Sequence, residues 1–427
     1  MIDLKQLTTR KDEIQQNITN RFMHVDLETV LDLQEKRSLL IQEVDALRKS
    51  RNENAKKMKG KMSPEERQIL IAEGKDLKVK IAQQEEILKE VEVQYLSEAK
   101  RIPNYAHPDA PIGKEDKDNL QISTWGTIPQ FDFETKDHVQ IGQDLDLIDF
   151  DTAARVSGAK FYYLKNQAVL LELALERYAL DILRKHGFTL TITPDIAKEE
   201  VLEGIGFNPR GEESNIYSLE DTGTCLVGTA EITLGGYHAG EIIAKERLPI
   251  KLAGLSHCFR KEAGAAGQYS KGLYRVHQFS KVEMFIYALP EESDAIHQEL
   301  LAIEEEIFQG LDLPYRIVDT CTGDLGAPAY RKFDMEAWMP GRGENGEWGE
   351  VTSTSNCTDY QARRLQTRYK DEDGKVQYLH LLNGTAIAIS RAIVAILEIN
   401  QQADGTVSIP TALQPYMGMD HISKENR

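Results

Sequence analysis

Between residues 28 and 102 the apolar positions fall into an alternation of four and three. Leu40, Val44 and Leu47 mark one stripe, and Leu77, Ile81, Gln84, Leu88, Val91 and Tyr95 mark a second. This is the heptad seam of a coiled coil. Between the stripes, Gly60 can end one helix, and Ser63-Pro64-Glu65-Glu66 reads as the capping box and first turn of the next. The pattern predicts one antiparallel helical hairpin whose first helix has about 33 residues and a length of about 50 Å. Each stripe is narrow, so the hairpin is expected to bury little beyond itself and to project as an arm.

Past Pro103 the pattern changes. His107–Gly113 holds prolines, a glycine and an Asp turn, and reads as a linker. Helical periods then occur at Leu171–Lys185, Glu291–Gln309 and Thr385–Glu398. Short strand-like runs occur at Thr189–Thr193, Leu248–Leu255, Lys281–Tyr287, Tyr315–Val318, Phe333–Trp338 and Glu350–Thr354. Helices and strands do not alternate regularly, so the expected class is α+β on a mainly antiparallel sheet flanked by helices. The expected division is an arm over 1–104, a linker over 105–115 and a second domain over 116–427.

Composition bounds the partners less than its distribution does. The 427 residues carry a formal charge of −18, which argues against a general polyanion binder. Yet residues 1–104 sum to +1. Residues 48–61 alone hold seven basic groups (Arg48, Lys49, Arg51, Lys56, Lys57, Lys59 and Lys61) against Glu53. On the distal part of a long arm, such a run suits a phosphate backbone, although a solvated face is the plainer alternative. The four cysteines are dispersed, with no CxxC and no Cys/His cluster, so neither zinc nor a disulfide scaffold is expected. The start lacks the apolar core of a secretory leader, and Ala386–Ile399 is too short to span a bilayer. A cytoplasmic protein without a membrane partner is expected.

Several segments carry candidate chemistry. Gly341–Gly346 matches GxGxxG by letter, but a β-rich run follows it, so a hairpin loop is expected. Arg260 and Glu262 stand two apart and are read as sharing one face of a strand. A Gly/Ala-rich loop, Ala263–Gly272, leads to a returning strand with Phe279 and Glu283. A guanidinium, a carboxylate and a ring facing one way could take a phosphate, a base edge and a base face, or could form an ordinary cross-strand ion pair with a core ring. Arg391 falls within an apolar helix, where a charge needs a partner or an anionic ligand. Thr229-Ala230-Glu231 precedes a helix, and Glu350-Val351-Thr352-Ser353 lies in a strand. Alone, each of these is weak.

Together these segments resemble the bacterial seryl-tRNA synthetases, of the class II aminoacyl-tRNA synthetases. Phe259–Glu262 is similar to motif 2 of that class, Leu382–Arg391 to motif 3 and Leu171–Pro194 to the dimer-interface motif 1. Arg275–Met284, Cys321–Gly326, Ser355–Arg364 and Pro415–Gly418 are similar to family-specific blocks. The resemblance spans nearly the whole chain. It implies a class II catalytic domain, a homodimer, and an arm that grips tRNA(Ser), or tRNA(Sec) where one exists, through Arg48, Lys49, Arg51, Lys56 and Lys57. It implies activation of L-serine by ATP and transfer to a tRNA 3′ end. Arg260, Glu262 and Arg391 would be catalytic. Lys261, Val276, Phe279 and Glu350–Ser353 would join them around ATP. Thr229, Ala230, Glu231, Arg260, Glu283 and Thr385 would hold serine, and Glu350 and Ser353 would hold Mg²⁺. The chain departs from the pattern at Gly349, where the family more often has Arg, and at Val351-Thr352, where it more often has Ile-Ser. Two rivals are a paralogue that loads a carrier protein and a coiled-coil scaffold with an inactive body. The basic arm argues against the first, and the intact Arg260, Glu262, Glu350 and Arg391 argue against the second.

Overall fold

The computed structural model describes residues 1–208, 215–263 and 269–424, so half of the Gly/Ala-rich loop read above, residues 264–268, lies outside the described residues. The chain divides into two compact units, Met1–Pro103 and Asn104–Arg427.

The first unit is helical: α1 (Lys11–Asn20), α2 (Leu27–Lys57) and α3 (Pro64–Ala99). α2 and α3 form the hairpin. Asp26 caps α2 by accepting from the Thr29 amide. Ser63 and Glu66 form the reciprocal capping box of α3, with Pro64 in its first turn, so the break at Gly60–Glu66 stands where the sequence places it. Val44, Ile81, Val91 and Tyr95 are buried, as the seam requires. Arg37 and Arg48 cross from α2 to α3, to Glu92 at 3.0 Å and Glu85 at 2.8 Å. Beyond Val44, the distal part of α2 buries only Asn54, whose amide donates to Glu73 at 3.1 Å. Lys49, Arg51, Lys56 and Lys57 are exposed, whereas Arg48 is engaged within the hairpin.

The second unit is built on an eight-stranded sheet: β1 (Leu120–Trp125), β2 (Thr189–Ile192), β3 (Ile250–Phe259), β4 (Gln278–Ala288), β5 (Tyr315–Asp319), β6 (Arg331–Met339), β7 (Glu347–Asn356) and β8 (His380–Ala388). Their spatial order is β1-β5-β6-β7-β8-β4-β3-β2. Only the β2–β3 pair is parallel, so the α+β, mainly antiparallel expectation holds. Its helices include α4 (His138–Asp144), α5 (Gln167–Lys185), α6 (Glu231–Gly236), α7 (Ser293–Gly310) and α8 (Ile389–Ile399). Asn104, expected as the last residue of the arm, and the first part of the expected linker 105–115 are stitched to this unit. The Asn104 side-chain amide donates to the carbonyls of Pro328 and Cys357, both at 2.9 Å, and Pro111 accepts from the Thr322 amide.

Strand alternation divides core from site. On β4, Val282, Met284 and Ile286 join Leu171 and Leu175 of α5, Leu300 and Ile307 of α7, and Ile393 and Ile396 of α8 in one apolar core. Phe279, Lys281 and Glu283 point the other way, into a cleft. β8 does the same with Leu382 against Asn383 and Thr385, until a bulge opposite Val282/Glu283. Two expectations are corrected here. Thr385–Ala388 is strand, and the helix begins only at Ile389. A strand enclosed on both sides is as continuously apolar as a buried helix, so hydrophobicity alone could not separate them. Arg260 and Glu262 do not share a strand face, because β3 ends at Phe259 and Glu262 adopts a left-handed φ of 52°. The Gly341–Gly346 segment is the β6–β7 turn, with positive φ at Gly343 and Gly346.

Candidate active site

The cleft has a cavity volume of about 160 Å³ and is walled by β4, β7 and β8, the start of α6 and the first turn of α8. Nearly all of the residues singled out for substrate lie in its lining: Thr229, Glu231, Arg260, Glu262, Val276 and Phe279, then Glu283, Glu350–Ser353, Thr385 and Arg391. Two do not. Ala230 is fully buried in the apolar cluster behind α6, and the Lys261 side chain is exposed, its ammonium 5.8 Å from the Tyr217 ring.

Two carboxyl groups, Glu231 and Glu283, define the first half of the lining, and a third lies behind it. Thr229 Oγ1 accepts from the Glu231 amide at 3.3 Å, so it caps α6 while facing the cleft. Glu231 Oε1 accepts from the side-chain amides of Gln361 at 2.8 Å and Asn383 at 3.1 Å. Burial, followed by the nearby Glu283 charge, pushes the Glu231 carboxyl up to about 7. Glu283 is paired with the buried Lys281, and Thr385 Oγ1 donates to Glu283 and accepts from Lys281, each at 3.3 Å. Beneath the sheet, Glu304 of α7 is fully buried and accepts from Thr352 Oγ1 at 3.0 Å. Burial raises its carboxyl well above the usual range. Such an array suits a small ligand with an ammonium and a hydroxyl: carboxylates take the first, and Thr and Asn side chains take the second.

The remaining lining is cationic and aromatic. Arg260 Nε donates to the Gly228 carbonyl at 3.2 Å, and its guanidinium lies 5.3 Å from the Phe279 ring centroid. Arg275 binds Glu262 at 2.7 Å and so orients that carboxylate. Arg391 meets both the carbonyl and the carboxylate of Glu350, at 3.0 and 3.2 Å, and lies 4.9 Å from the Tyr274 ring. Burial opposes ionisation of Glu350, but the charges of Arg391, Lys332 and Arg260 hold its carboxyl below the ordinary range. The charge that Arg391 needs in a buried helix is therefore supplied by β7. A ring beside one guanidinium, with a second guanidinium and an ionised carboxylate in the same cleft, fits a nucleoside phosphate. Glu350 and the Ser353 hydroxyl both face the cleft and are hard oxygen donors of the kind Mg²⁺ takes.

Sequence reasoning missed Lys281, Asn383, Tyr274 and Arg275, all of which line the cleft. Lys281 had a usable signal, since it stands midway between Phe279 and Glu283 on a period-two strand. Tyr274 had none, since it ends a single 3-10 turn, and Arg275 was legible only as the first residue of the Arg275–Met284 block.

Comparison with known proteins bears on the family. The family model for the seryl-tRNA synthetase N-terminal domain matches residues 1–106, and that for the class II tRNA synthetase core domain (G, H, P, S and T) matches 217–400. The serine–tRNA ligase of Treponema denticola is 65% identical over 422 residues, covering 99% of this chain and 100% of the relative. That of Borrelia recurrentis is 55% identical, with 100% of both chains covered. Among solved structures, the seryl-tRNA synthetase of Pyrococcus horikoshii complexed with ATP superposes with a TM-score of 0.90 at 40% identity and full coverage of both chains. The cytoplasmic serine–tRNA ligase of Naegleria fowleri in complex with AMP gives 0.84 at 30% identity, covering 97% of this chain and 95% of that one. With the two-part architecture, the carboxylate-lined cleft and full-length identity all in agreement, this chain belongs to the seryl-tRNA synthetase family.

Proposed function

We propose that the protein joins L-serine to ATP as seryl-adenylate and passes the seryl group to tRNA(Ser). The serine carboxylate oxygen forms a bond to the α-phosphorus and pyrophosphate leaves. A 3′-terminal hydroxyl of the tRNA then attacks the seryl carbonyl carbon and AMP leaves. The observation that carries this reading is one cleft holding both Glu231 and Glu283, for an ammonium, and Arg260, Phe279 and Arg391, for a nucleotide. Arg260 would neutralise charge developing on the α-phosphate, where a fixed guanidinium acts without reorganising. Glu262, oriented by Arg275, would accept from the adenine amino group while Phe279 and Arg391 cover the base. Thr229 and Thr385 would meet the serine hydroxyl. Mg²⁺, held by Glu350 and Ser353, would supply screening of the phosphate charge. No covalent enzyme intermediate is needed, since positioning and electrostatics suffice.

Two further assignments rest on surfaces. Lys49, Arg51, Lys56 and Lys57 on the hairpin would contact the tRNA backbone, with Arg48 contributing less because it already bridges to Glu85. Exposed Val169, Leu170 and Leu173 on α5, with Ile192 of β2 at 85% exposure, suit a second copy of the chain and hence a homodimer. Among the described residues no helix is long and apolar enough to cross a membrane. Serine-dependent ATP–pyrophosphate exchange, run alongside aminoacylation of tRNA(Ser), tests the whole reading. Absence of exchange would reject the enzyme assignment, and exchange without charging would favour a carrier-loading paralogue.

A further inference from the structure

Gly349 leaves a space in β7 just before Glu350, and a neighbouring turn fills it. A Cβ at residue 349 would stand 2.9 Å from Met339 Sδ, 3.1 Å from Tyr274 Cε2 and 3.2 Å from Arg342 Nη1. Arg342 belongs to the β6–β7 turn. Its guanidinium carbon lies 4.8 Å from the Tyr274 ring centroid and 4.6 Å from that of Tyr269, and its Nε reaches Glu347 at 3.3 Å. Its Nη1 is buried and has no hydrogen-bond partner. Arg391 lies 4.9 Å from the same Tyr274 ring, so two guanidinium groups share one aromatic side chain. The Tyr274 hydroxyl in turn donates to the Glu350 carbonyl, at 3.3 Å, the atom that Arg391 also binds.

A single buried carboxylate ties these parts together. Glu398 stands seven residues after Arg391 on α8, two helical turns along. Its Oε2 accepts from the Gly341 amide at 2.8 Å, which fixes the turn that carries Arg342. Its Oε1 meets His138 Nδ1 at 2.6 Å and also accepts from the His138 amide at 3.0 Å. His138 Nε2 accepts from the Leu273 amide at 3.1 Å, immediately before Tyr274. That acceptor role leaves the ring proton on Nδ1, directed at Glu398. The approach is close on both sides. A Cβ at Gly272 would fall 2.1 Å from His138 Nε2, and one at Gly341 would fall 2.9 Å from the Glu398 carboxyl carbon. The helix of Arg391, the turn of Tyr274 and the turn of Arg342 are thus joined through the His138–Glu398 pair.

We propose that Arg342 is a positioning residue for ATP, acting through Tyr274 on Arg391 and Glu350, and that the His138–Glu398 pair holds it in register. The proposal rests on the adenylate-forming reading above. Arg342 does not line the cleft, and its contacts run through Tyr274 to Arg391 and Glu350, so its effect belongs to the nucleotide and not to serine. It stands beside the position where the chain has Gly349, and a guanidinium from the adjoining turn thus brings positive charge to that point of the site.

The experiment measures KM for ATP and for serine in ATP–pyrophosphate exchange for four proteins: wild type, Arg342→Gln, Gly349→Ala and the double variant. Loss of one stacked cation should raise KM for ATP roughly tenfold in Arg342→Gln and leave KM for serine within about twofold. Gly349→Ala, whose methyl would press on Met339 Sδ as well as on Tyr274 and Arg342, should have a similar effect by displacing that contact. The double variant should then be no worse than the poorer single variant, because both act through one contact. Equal changes in both KM values, an unchanged KM for ATP, or additive losses would overturn the proposal. If Arg342→Gln lowers the melting temperature, Arg342→Lys supplies the second reading. A point charge without the planar stack should recover only part of the ATP affinity, and full recovery would reject the stacking role. Wild-type protein without serine-dependent exchange would instead reject the underlying reaction, which separates the two failures.

Discussion

Glu231 faces a cleft that also holds Glu283, Lys281 and Arg260, and its carboxyl is raised to about 7 by burial and by Glu283. A serine ammonium placed against it favours the ionised form, so below pH 7 binding must expel a proton. KM for serine should therefore rise as the pH falls from 8 to 6, by up to about tenfold per unit below 7. In Glu231→Gln this slope should vanish while overall affinity drops. A wild-type serine KM that stays flat over that range would show that Glu231 does not meet the ammonium. The hydroxyl contacts lead to a second outcome. A site with buried groups committed to a hydroxyl should reject alanine by roughly 10⁴ or more in kcat/KM, measured by exchange. Glu231 was legible as a candidate because it stands in a compact motif. Its amide partners were not, since Gln361 and Asn383 are 130 and 152 residues away and meet it only in the folded chain.

Strand β4 shows how one element serves two purposes, since Phe279, Lys281 and Glu283 build the site, Val282, Met284 and Ile286 build one core, and Phe285 and Tyr287 continue the site-side face into a second. A period of two was enough to anticipate this, and the strand was found from sequence. The β8–α8 boundary was not, because enclosed strand and buried helix carry the same apolar run. The bulge at Thr385–Ile387 has no sequence signature, yet it sends Ala386 and Ile387 to the core while Thr385 and Ala388 both line the cleft. α7 supports this layer through Glu304. Its folded carboxyl is raised, so its contribution to stability is complete below the unfolded value near 4.5 and fades as the pH rises toward the folded one. Glu304→Gln does not titrate. Its melting temperature should gain on the wild type between pH 5 and pH 8, and parallel melting curves across that range would contradict a neutral Glu304.

At the scale of the whole chain, a net charge of −18 conceals a basic segment on the hairpin. The hairpin and its basic face were legible because heptad spacing and charge runs are local. That Arg48 is already engaged by Glu85 required the fold. Removing residues 30–100 should leave serine-dependent exchange near wild type and abolish tRNA charging. Charging that survives at physiological salt would show that the arm is dispensable. Reversing Lys56 and Lys57 to Glu should weaken tRNA binding uniformly across serine tRNAs and flatten its salt dependence.

The thinning of the seam beyond Val44 has a mechanical consequence. From about residue 48 to residue 77 the hairpin is bridged by an Asn54–Glu73 hydrogen bond and by half-buried contacts, with Ile69 and Ile71 left in water. Little apolar area is lost when these turns open, so they should fray as a separate cooperative unit while the helices near Val91 and Tyr95 stay closed. Amide hydrogen exchange should be fastest over this stretch and slow when tRNA is added. The hairpin would then have a stiff inner part and a compliant end, which would let it follow the curvature of a bound nucleic acid at small elastic cost.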